Sequence, residues 1–348
     1  MAAVLVTGAT GFVGAHFVPR LAAKGHTVLG FCRTTSERDH LNEHVHAWAF
    51  GDITDPAAID HAARKLRVLA DERGEPAWLV HAAGMISYRT DADADLERVN
   101  VEGTRHVLAA AERHSMDRLL LVSSVVAVGV APSVEAPIDE EAPFELVREL
   151  TGKPWVSGYM RTKRAAEELV LAAAPRLDVV AVCPGSIYGR APVPSNSAQI
   201  FRRVESSLLG RIAGPGSLSV VGVEDVARGM LLALERGERG QRYLLTDENL
   251  ALADLLARIQ RTVGVEHRLA RLGPRTWRAL VFGAGLVDRV RPLHTVTPTA
   301  LELLGLAFSF DSTRARRDLG WQPEPFDAVL ARTAIWLREL GWLEAHPQ

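Results

Sequence analysis

The sequence predicts an α/β fold, a doubly wound parallel sheet with a smaller, mostly helical lobe at its C-terminal end. Up to residue 185, short apolar segments alternate with segments of helical period, which is typical of parallel strands joined by crossover helices. Beyond residue 185 the alternation gives way to prolines, glycines and separate helical segments. We therefore predict a sheet domain over residues 1–185, to which 218–246 return. A second lobe is predicted over 186–217 and 247–348.

The first element is an apolar strand, Ala2 to Val6, followed by a glycine-spaced turn and a helical pattern over residues 12–21. Gly8 permits a tight turn, Gly11 lets the backbone approach a pyrophosphate, and Gly14 lets the helix pack closely on the strand. The helix N-terminus would face the phosphates. An ordinary strand-to-helix turn is the alternative, but this context favours a Rossmann-type dinucleotide site. The residues predicted to form it are Thr7, Gly8, Ala9, Thr10, Gly11, Phe12, Val13 and Gly14.

The second strand, Thr27 to Cys32, ends where an NAD site of this type carries an acid that bonds the ribose 2′-hydroxyl. Arg33 stands there instead, and no acid follows until Glu37. A guanidinium can bind a 2′-phosphate through two hydrogen bonds. We therefore expect NADP(H) as the cofactor. The alternatives are a solvated surface arginine and NAD(H).

The third predicted strand, Val45 to Phe50, is followed by Asp52 and Ile53, which we also assign to the cofactor site. Asp52 would accept a hydrogen bond from an adenine amino group; a purely turn-forming aspartate is the alternative. Pro56 then opens a helix with Asp55 or Thr54 as its cap.

The fourth, fifth and sixth predicted strands end in small or hydroxyl-bearing residues. The strands are Ala77 to Val80, Arg118 to Ser123, and Asp178 to Val182. Because the carboxyl ends of parallel strands meet at one edge, these residues should line one ligand crevice. The cofactor-binding residues assigned there are Ala82, Ala83, Gly84, Ser123, Pro184, Gly185 and Ser186.

Ser157 is expected to cap a long helix, Gly158 to Ala173, that carries Tyr159 and Lys163 four residues apart and therefore on one face. A protonated lysine beside a tyrosine favours the phenolate and lowers its pKa from about 10. The tyrosine could then exchange a proton near neutral pH. Ser124, or alternatively Ser123, could hydrogen-bond a substrate oxygen. Chance spacing is the competing explanation.

The remaining elements are predicted only from the spacing of apolar residues along the chain. A helical pattern covers Asp95 to Glu112, and residues 130–156 form a loop with at most a short helix near Glu145 to Leu150. Further on we expect a helix from Val223 through Glu235 and a strand from Gln241 to Thr246. Later helices are expected near 250–263, 274–288, 297–304, 312–319 and 325–341.

Composition places limits on partners and location. The chain has 348 residues with 47% hydrophobic and 24% charged content, ordinary for a globular protein, and its net charge of −2 gives no overall attraction to nucleic acid or anionic membrane. Cys32 and Cys183 lie in apolar strands without metal-ligand spacing, so no metal is expected. The first strand leaves no room for a signal peptide, and the apolar run at 279–287 is too short to span a bilayer. A cytoplasmic location is expected.

Taken together, these motifs resemble the extended short-chain dehydrogenases/reductases, the NAD-dependent epimerase/dehydratase superfamily. Within it they are similar to the dihydroflavonol-reductase-like and hopanoid-associated sugar-epimerase-like group. The matching segments run in order over roughly residues 1–230, and 312–321 resembles the family's C-terminal segment more weakly. They are 7–14, 51–55, 81–84, 100–104, 122–124, 159–163 and 223–227. The resemblance implies a catalytic triad of Ser124, Tyr159 and Lys163, with Tyr159 and Lys163 also touching the cofactor.

The resemblance implies hydride transfer between a nicotinamide cofactor and a small-molecule carbonyl or alcohol. We expect an NADP(H)-dependent oxidoreductase that reduces a ketone or aldehyde, or oxidises the alcohol. A nucleotide-sugar epimerase or dehydratase is the runner-up, weakened because Cys183-Pro184 replaces the Arg-Pro of many such enzymes. A 3-beta-hydroxysteroid-dehydrogenase-like enzyme and a non-enzymatic cofactor-binding sensor are further alternatives. Apolar residues over 280–287 suggest a substrate wall or a core helix, and the sequence leaves a homodimer open.

Overall fold

The computed structural model describes residues 1–192, 195–290, 293 and 296–344. Its strands are β1 (Ala3–Thr7), β2 (Thr27–Cys32), β3 (Ala47–Phe50), β4 (Ala77–His81), β5 (Arg118–Val122), β6 (Val179–Pro184), β7 (Ser186–Tyr188), β8 (Ile212–Ala213), β9 (Ser217–Gly222), β10 (Arg242–Leu245), β11 (Glu248–Ala251) and β12 (Ala270–Arg271). Seven of them form a parallel sheet in the order β10-β6-β5-β4-β1-β2-β3. The predicted doubly wound α/β fold is confirmed.

The strand bounds agree closely with the sequence pattern except at the edge of the sheet. The predicted span of β2 matches the structure at both ends. β3 begins at Ala47, not at Val45, and pairs with β2 from Leu29↔Ala47 to Cys32↔Phe50.

Helices cover both faces of the sheet and build most of the C-terminal part. They are α1 (Gly14–Ala23), α2 (Pro56–Arg73), α3 (Asp93–Leu96), α4 (Gly103–Arg113), α5 (Glu145–Thr151), α6 (Gly158–Leu171), α7 (Asn196–Ser206), α8 (Val223–Arg236), α9 (Leu252–Val263), α10 (Pro274–Val290), α11 (Pro298–Leu303), α12 (Thr313–Leu319) and α13 (Phe326–Glu339). Two predicted caps are present: Asp55 accepts from the N–H of Ala57 with Pro56 at the first position, and Ser157 accepts from the N–H of Met160.

Alternating strand residues supply two cores, one on each face of the sheet. Val4 and Val6 of β1 pack with α1, α8 and α12, whereas Ala3 and Leu5 pack with α2 and α4. Both faces of the sheet are therefore buried, which explains why its strands are almost continuously apolar.

The predicted helix over Asp95 to Glu112 is not one regular helix. Glu97–Glu102 forms a π-helical turn between α3 and α4. Such turns are frequent at functional sites because they rotate side chains out of the α-helical register. Here the turn contains Asn100, whose contacts are described below.

Five strands in the C-terminal half are not predicted from the sequence; four of them have only two to four residues, too few for a readable period, and the fifth, β9, has six. They form a three-stranded sheet, β11-β9-β7, and a two-stranded one, β12-β8. A separate apolar core gathers residues of α7, α9 and α13. The division into two domains stays a prediction, and residues 193–194, 291–292, 294–295 and 345–348 of the predicted lobe lie outside the described residues. Within the described part of the chain, no helix is long and apolar enough to cross a membrane.

Candidate active site

The glycine-spaced turn between β1 and α1 is packed so tightly that two of its positions tolerate no side chain. Gly8 has φ +69°, and a Cβ atom there would lie 2.6 Å from the amide nitrogen of Ala83. A Cβ at Gly14 would lie 2.2 Å from the carbonyl oxygen of Gly8. The turn therefore needs glycine at both positions, and Gly8 packs against the backbone of Ala82 and Ala83, which follow β4.

A buried chain of hydrogen bonds lies beneath this turn. Thr7 Oγ1 is 2.8 Å from His81 Nδ1 and also accepts from the N–H of Ala83. His81 Nε2 is 3.0 Å from Thr104 Oγ1, which donates to the carbonyl oxygen of Asn100. Since that hydroxyl donates onward, His81 must carry its proton on Nε2 and accept at Nδ1. Burial, reinforced by the charge of Lys163, lowers the pKa of His81 to about 3, so the ring is neutral.

Asn100 continues this network to α6. Its Oδ1 accepts from the N–H of Met85 at 2.8 Å, and its Nδ2 donates to the carbonyl oxygen of Met85 and to Thr162 Oγ1 at 3.0 and 3.2 Å. Thr162 lies on α6 between Tyr159 and Lys163. The π-helical turn thus ties the segment after β4 to the helix that carries the predicted catalytic residues.

Ser124 and Tyr159 meet where β5 ends and α6 begins. Ser124 lies beside Tyr159, while the N–H of Val126 donates to Ser124 Oγ at 3.4 Å. Burial, followed by the neighbouring Tyr88, raises the pKa of Tyr159 above its ordinary value, and Ser124 opposes this rise. The expected lowering of this pKa is therefore wrong for this structure.

Lys163 explains part of that difference. Its Nζ donates to the carbonyl oxygen of Val122 at 2.8 Å, at the end of β5, so its charge is shared with the backbone there. Burial lowers the pKa of Lys163 to about 8, against the opposing charge of Glu167. The ammonium form consequently persists at neutral pH and is lost as the pH rises through about 8.

Glu167 lies one turn beyond Lys163 on α6 and is almost fully buried. Its Oε1 accepts from Arg242 Nη1 at 2.7 Å, and its Oε2 accepts from the Cys183 thiol at 3.1 Å. Arg242 also donates to the carbonyl oxygen of Glu140. A buried carboxylate held by a guanidinium keeps its charge, so Glu167 places a fixed negative charge behind Lys163.

The surroundings of the Tyr159 ring are apolar. Tyr88 packs edge-to-face on it, with centroids 6.0 Å apart and rings at 89°. The remaining neighbours in this cluster are Met85, Ala92, Leu96 and Val126. α11 closes against the same side, since Thr297 Oγ1 donates to the carbonyl oxygen of Tyr88 at 2.9 Å.

Arg33 is exposed directly after β2, as the sequence predicts, and Asp52 lies near it. Asp52 Oδ1 accepts from both the N–H and the hydroxyl of Thr54 at 2.9 and 2.7 Å. These bonds, together with Arg33 and Arg98, lower the pKa of Asp52. Asp52 thus does form the turn, the alternative given above; an additional contact with adenine stays a prediction.

The other predicted cofactor residues line the same edge of the sheet. The residues after β4 touch the glycine turn, and Pro184 ends β6 next to β5. Gly185 and Ser186 run straight into β7, where Gly185 packs on the backbone of Ser219. Ile53 is buried against Gly103. Cys32 and Cys183 are free and buried, as expected for strand residues.

The supporting residues of the site are not predicted from the sequence. His81 and Asn100 lie in segments that match the family motifs, but the motifs alone indicate no role for either. Glu167 and Tyr88 are not predicted as site residues either. Glu167 has a simple signal in the sequence, since it repeats the four-residue spacing from Tyr159 to Lys163. Tyr88 meets Tyr159 only through tertiary packing, for which the sequence carries no local signal.

The residues present fit a dinucleotide. Gly11 is exposed in the turn just before α1, where the N–H groups at a helix N-terminus can bind a phosphate. Ser123 Oγ, just after β5 at the same edge of the sheet, is buried and makes no hydrogen bond within ordinary distance among the described residues, although the Cys183 thiol lies beside it. A buried hydroxyl with unused hydrogen-bonding capacity at this edge is available to a bound polar group.

A parallel sheet with this turn at its carboxyl edge defines a nucleotide-binding α/β protein. A model of the NAD-dependent epimerase/dehydratase family matches residues 4–245. The chain belongs to this family, and it is an NAD(P)-dependent oxidoreductase of the extended short-chain dehydrogenase/reductase type. The resemblance inferred from the motifs is therefore confirmed.

Individual relatives are similar over almost the whole chain. The sterol demethylase protein B of Methylococcus capsulatus is 32% identical over 349 residues, which cover 97% of this chain and 99% of that protein. A 4-hydroxy-2-methyl-3-oxo-4-farnesyl-3,4-dihydroquinoline-1-oxide ketoreductase of Stigmatella aurantiaca is 31% identical, with 91% and 90% covered. Among solved structures, a nucleoside-diphosphate-sugar epimerase from Pseudomonas aeruginosa has a TM-score of 0.76 at 25% identity, with 99% of both chains covered.

Proposed function

We propose that the protein is an NADP(H)-dependent reductase of a hydrophobic ketone or aldehyde. The observation that carries this proposal is the apolar cluster around the Tyr159 ring, formed by Tyr88 and its neighbours. A binding pocket lined by apolar side chains favours an apolar substrate, and its few polar groups orient that substrate. The ketoreductase relative, whose name includes a farnesyl group, supports the same class of substrate.

In this proposal each chain residue has a separate task. The bound nicotinamide cofactor supplies the hydride. Ser124 donates a hydrogen bond to the substrate oxygen and holds it beside Tyr159, and Tyr159 donates its phenolic proton to that oxygen. Lys163 favours the phenolate that remains and binds the nicotinamide ribose. The Thr7–His81–Thr104–Asn100 network keeps the glycine turn and α6 in register.

The electrostatics of the site support the reductive direction. A group that donates a proton must hold it at the working pH. Burial raises the pKa of Tyr159, so its hydroxyl is protonated at neutral pH. An alcohol oxidation would begin from the phenolate, which this apolar environment disfavours.

The preference for NADP(H) is supported by the end of β2. Arg33 is exposed there and no carboxylate precedes Glu37 in the chain. A 2′-phosphate at this place would meet the guanidinium, whereas the acid that binds an unmodified ribose is missing.

A nucleotide-sugar epimerase is the second candidate, favoured by the similarity to the Pseudomonas aeruginosa epimerase. An epimerase returns its hydride in each cycle and consumes no cofactor, whereas a reductase consumes NADPH in proportion to product. The deciding experiment follows NADPH absorbance at 340 nm with a panel of steroid, flavonoid and long-chain ketones. Stoichiometric oxidation supports the proposal. Tightly bound NAD⁺ in the purified protein, with conversion of UDP-sugars and no NADPH consumption, overturns it.

The two serines after β5 provide a matched pair of variants. We expect Ser124→Ala to lower kcat/KM by on the order of tenfold or more, since a donor to the reacting oxygen is lost. Ser123→Ala should change kcat/KM less, because Ser123 Oγ is buried beside the Cys183 thiol, whereas Ser124 lies beside Tyr159. Steady-state kinetics of both variants test the assignment. The reverse order of effects would move the catalytic role to Ser123.

Glu167 should affect the pH dependence of the reaction through Lys163. Its charge raises the pKa of Lys163 against burial, so Glu167→Gln should lower that pKa and deprotonate Lys163 at lower pH. The alkaline limb of kcat/KM then moves to lower pH, and rates above pH 8 fall by on the order of tenfold. Glu168→Gln is the control, since Glu168 is an exposed partner of Arg164. Equal pH profiles for both variants would disprove this role.

A further inference from the structure

Helix α10 presents an apolar surface to solvent. Trp277 is the only one of its described residues that is buried, whereas Phe282, Leu286 and Val290 are 69%, 48% and 89% exposed. Their four-residue spacing puts these three on one face, and the exposed side chains of Leu280 and Val287 widen it. We call these five residues the α10 apolar face. The expected core helix over 280–287 is therefore wrong, because its apolar residues point outward.

This helix is attached to the protein by its first turns. The Trp277 indole donates to the carbonyl oxygen of Leu301 at 3.0 Å, and its ring fills the space beside Gly214 and Gly305. α10 packs on α11, which in turn contacts Tyr88 beside Tyr159. The α10 apolar face is thus one helix away from the wall of the candidate active site.

Arginines flank this face on one side. Arg275, Arg278 and Arg289 are exposed on α10, and at 100° per residue they fall within one narrow sector that contains Phe282, at one edge of the α10 apolar face. Among the described residues, none of the three has a carboxylate within salt-bridge distance. A helix with a broad apolar face, bordered by unpaired arginines, has the properties of a helix that lies in a membrane interface.

We propose that α10 docks the protein onto a lipid bilayer with anionic headgroups, inserting the α10 apolar face among the acyl chains. The arginines would then bind headgroup phosphates, to which guanidinium is suited. A second copy of the chain fits less well. A twofold contact on this face would bring the same arginines of both copies close together without acidic partners. The inference goes beyond the proposed reaction. Docking through α10 would bring the candidate active site, one helix away, close to a source of hydrophobic substrate.

The test measures cosedimentation of the full chain with vesicles, without substrate or cofactor, so its failure leaves the proposed reductase activity untouched. Vesicles contain either phosphatidylcholine alone or equal parts phosphatidylcholine and phosphatidylglycerol. We expect stronger binding to the anionic vesicles. The double variant Phe282→Glu, Leu286→Glu should reduce it by on the order of tenfold or more. Val68→Glu is the control, since Val68 is 51% exposed on α2 and its loss should leave binding unchanged.

Two further measurements complete the test. Arg278→Ala with Arg289→Ala should weaken binding to the anionic vesicles and leave binding to phosphatidylcholine unchanged. Thermal unfolding should be the same for all variants, because every substituted side chain is exposed. No vesicle binding by the parent protein, or equal binding by the Phe282→Glu, Leu286→Glu variant, overturns the proposal. It is also overturned if sedimentation velocity shows a dimer that this variant dissociates while vesicle binding is unaffected.

Discussion

Replacing Tyr159 by phenylalanine should lower kcat by on the order of 10² or more while the protein stays folded. The substitution removes only the hydroxyl that lies beside Ser124 and that, in the proposed reaction, gives its proton to the substrate oxygen. The ring keeps its edge-to-face packing on Tyr88. When the carbonyl carbon accepts the hydride, the carbonyl oxygen must still accept a proton. Without the Tyr159 hydroxyl this reduction step should become rate-limiting. Single-turnover oxidation of NADPH measures this step directly.

Tyr88→Phe is the matched control for this prediction. Tyr88 lies in the same apolar cluster and also keeps its ring when the hydroxyl is removed. Because its hydroxyl has no part in the proposed proton transfer, we expect at most a few-fold change in kcat. Similar losses in both variants would show a general disturbance of the pocket. Near-parent activity of Tyr159→Phe would refute the assignment of Tyr159.

Features governed by local physical rules could be predicted from the sequence. β2 is apolar throughout and buried on both faces, so its bounds follow from composition. Asp55 and Ser157 cap helices because their side chains satisfy N–H groups a few residues away. The spacing of Gly8 and Gly14 between a strand and a helix predicts the turn, although the clash that excludes a side chain at Gly8 comes from Ala83, on a distant part of the chain. For the strand, the caps and the glycine spacing, the signal in the sequence lies within a few positions of the residue.

Features that depend on distant contacts could not be predicted. The π-helical turn at Glu97–Glu102 reads as a regular helix in the sequence, because the bonds of Asn100 to Met85 and Thr162 exist only in the folded chain. The pKa of Tyr159 was expected to fall because Lys163 was considered alone. Burial and Tyr88 reverse its direction, and neither can be judged before the chain is packed.

The cofactor preference should be controlled by Arg33. Arg33→Asp should raise KM for NADPH and lower KM for NADH, changing the ratio of the two kcat/KM values by on the order of 10² or more. A carboxylate at this place repels a 2′-phosphate and can accept a hydrogen bond from a ribose 2′-hydroxyl. Kinetics of the parent and variant with both cofactors test this, and equal parent values for NADPH and NADH would contradict the role of Arg33.

Arg38→Asp distinguishes a specific contact from the general charge of this loop. Arg38 stacks on the Phe50 ring at 4.8 Å and donates to the carbonyl oxygen of Ser36, so its guanidinium is already engaged. Arg33 instead lies beside Asp52, whose Oδ1 is occupied by Thr54. A purely electrostatic effect would be similar for both substitutions, since each changes the loop by the same two charges. We therefore expect Arg38→Asp to weaken NADPH binding only modestly and to leave NADH binding no tighter. If Arg38→Asp alone reversed the cofactor preference, the 2′-phosphate would be assigned to Arg38 and not to Arg33.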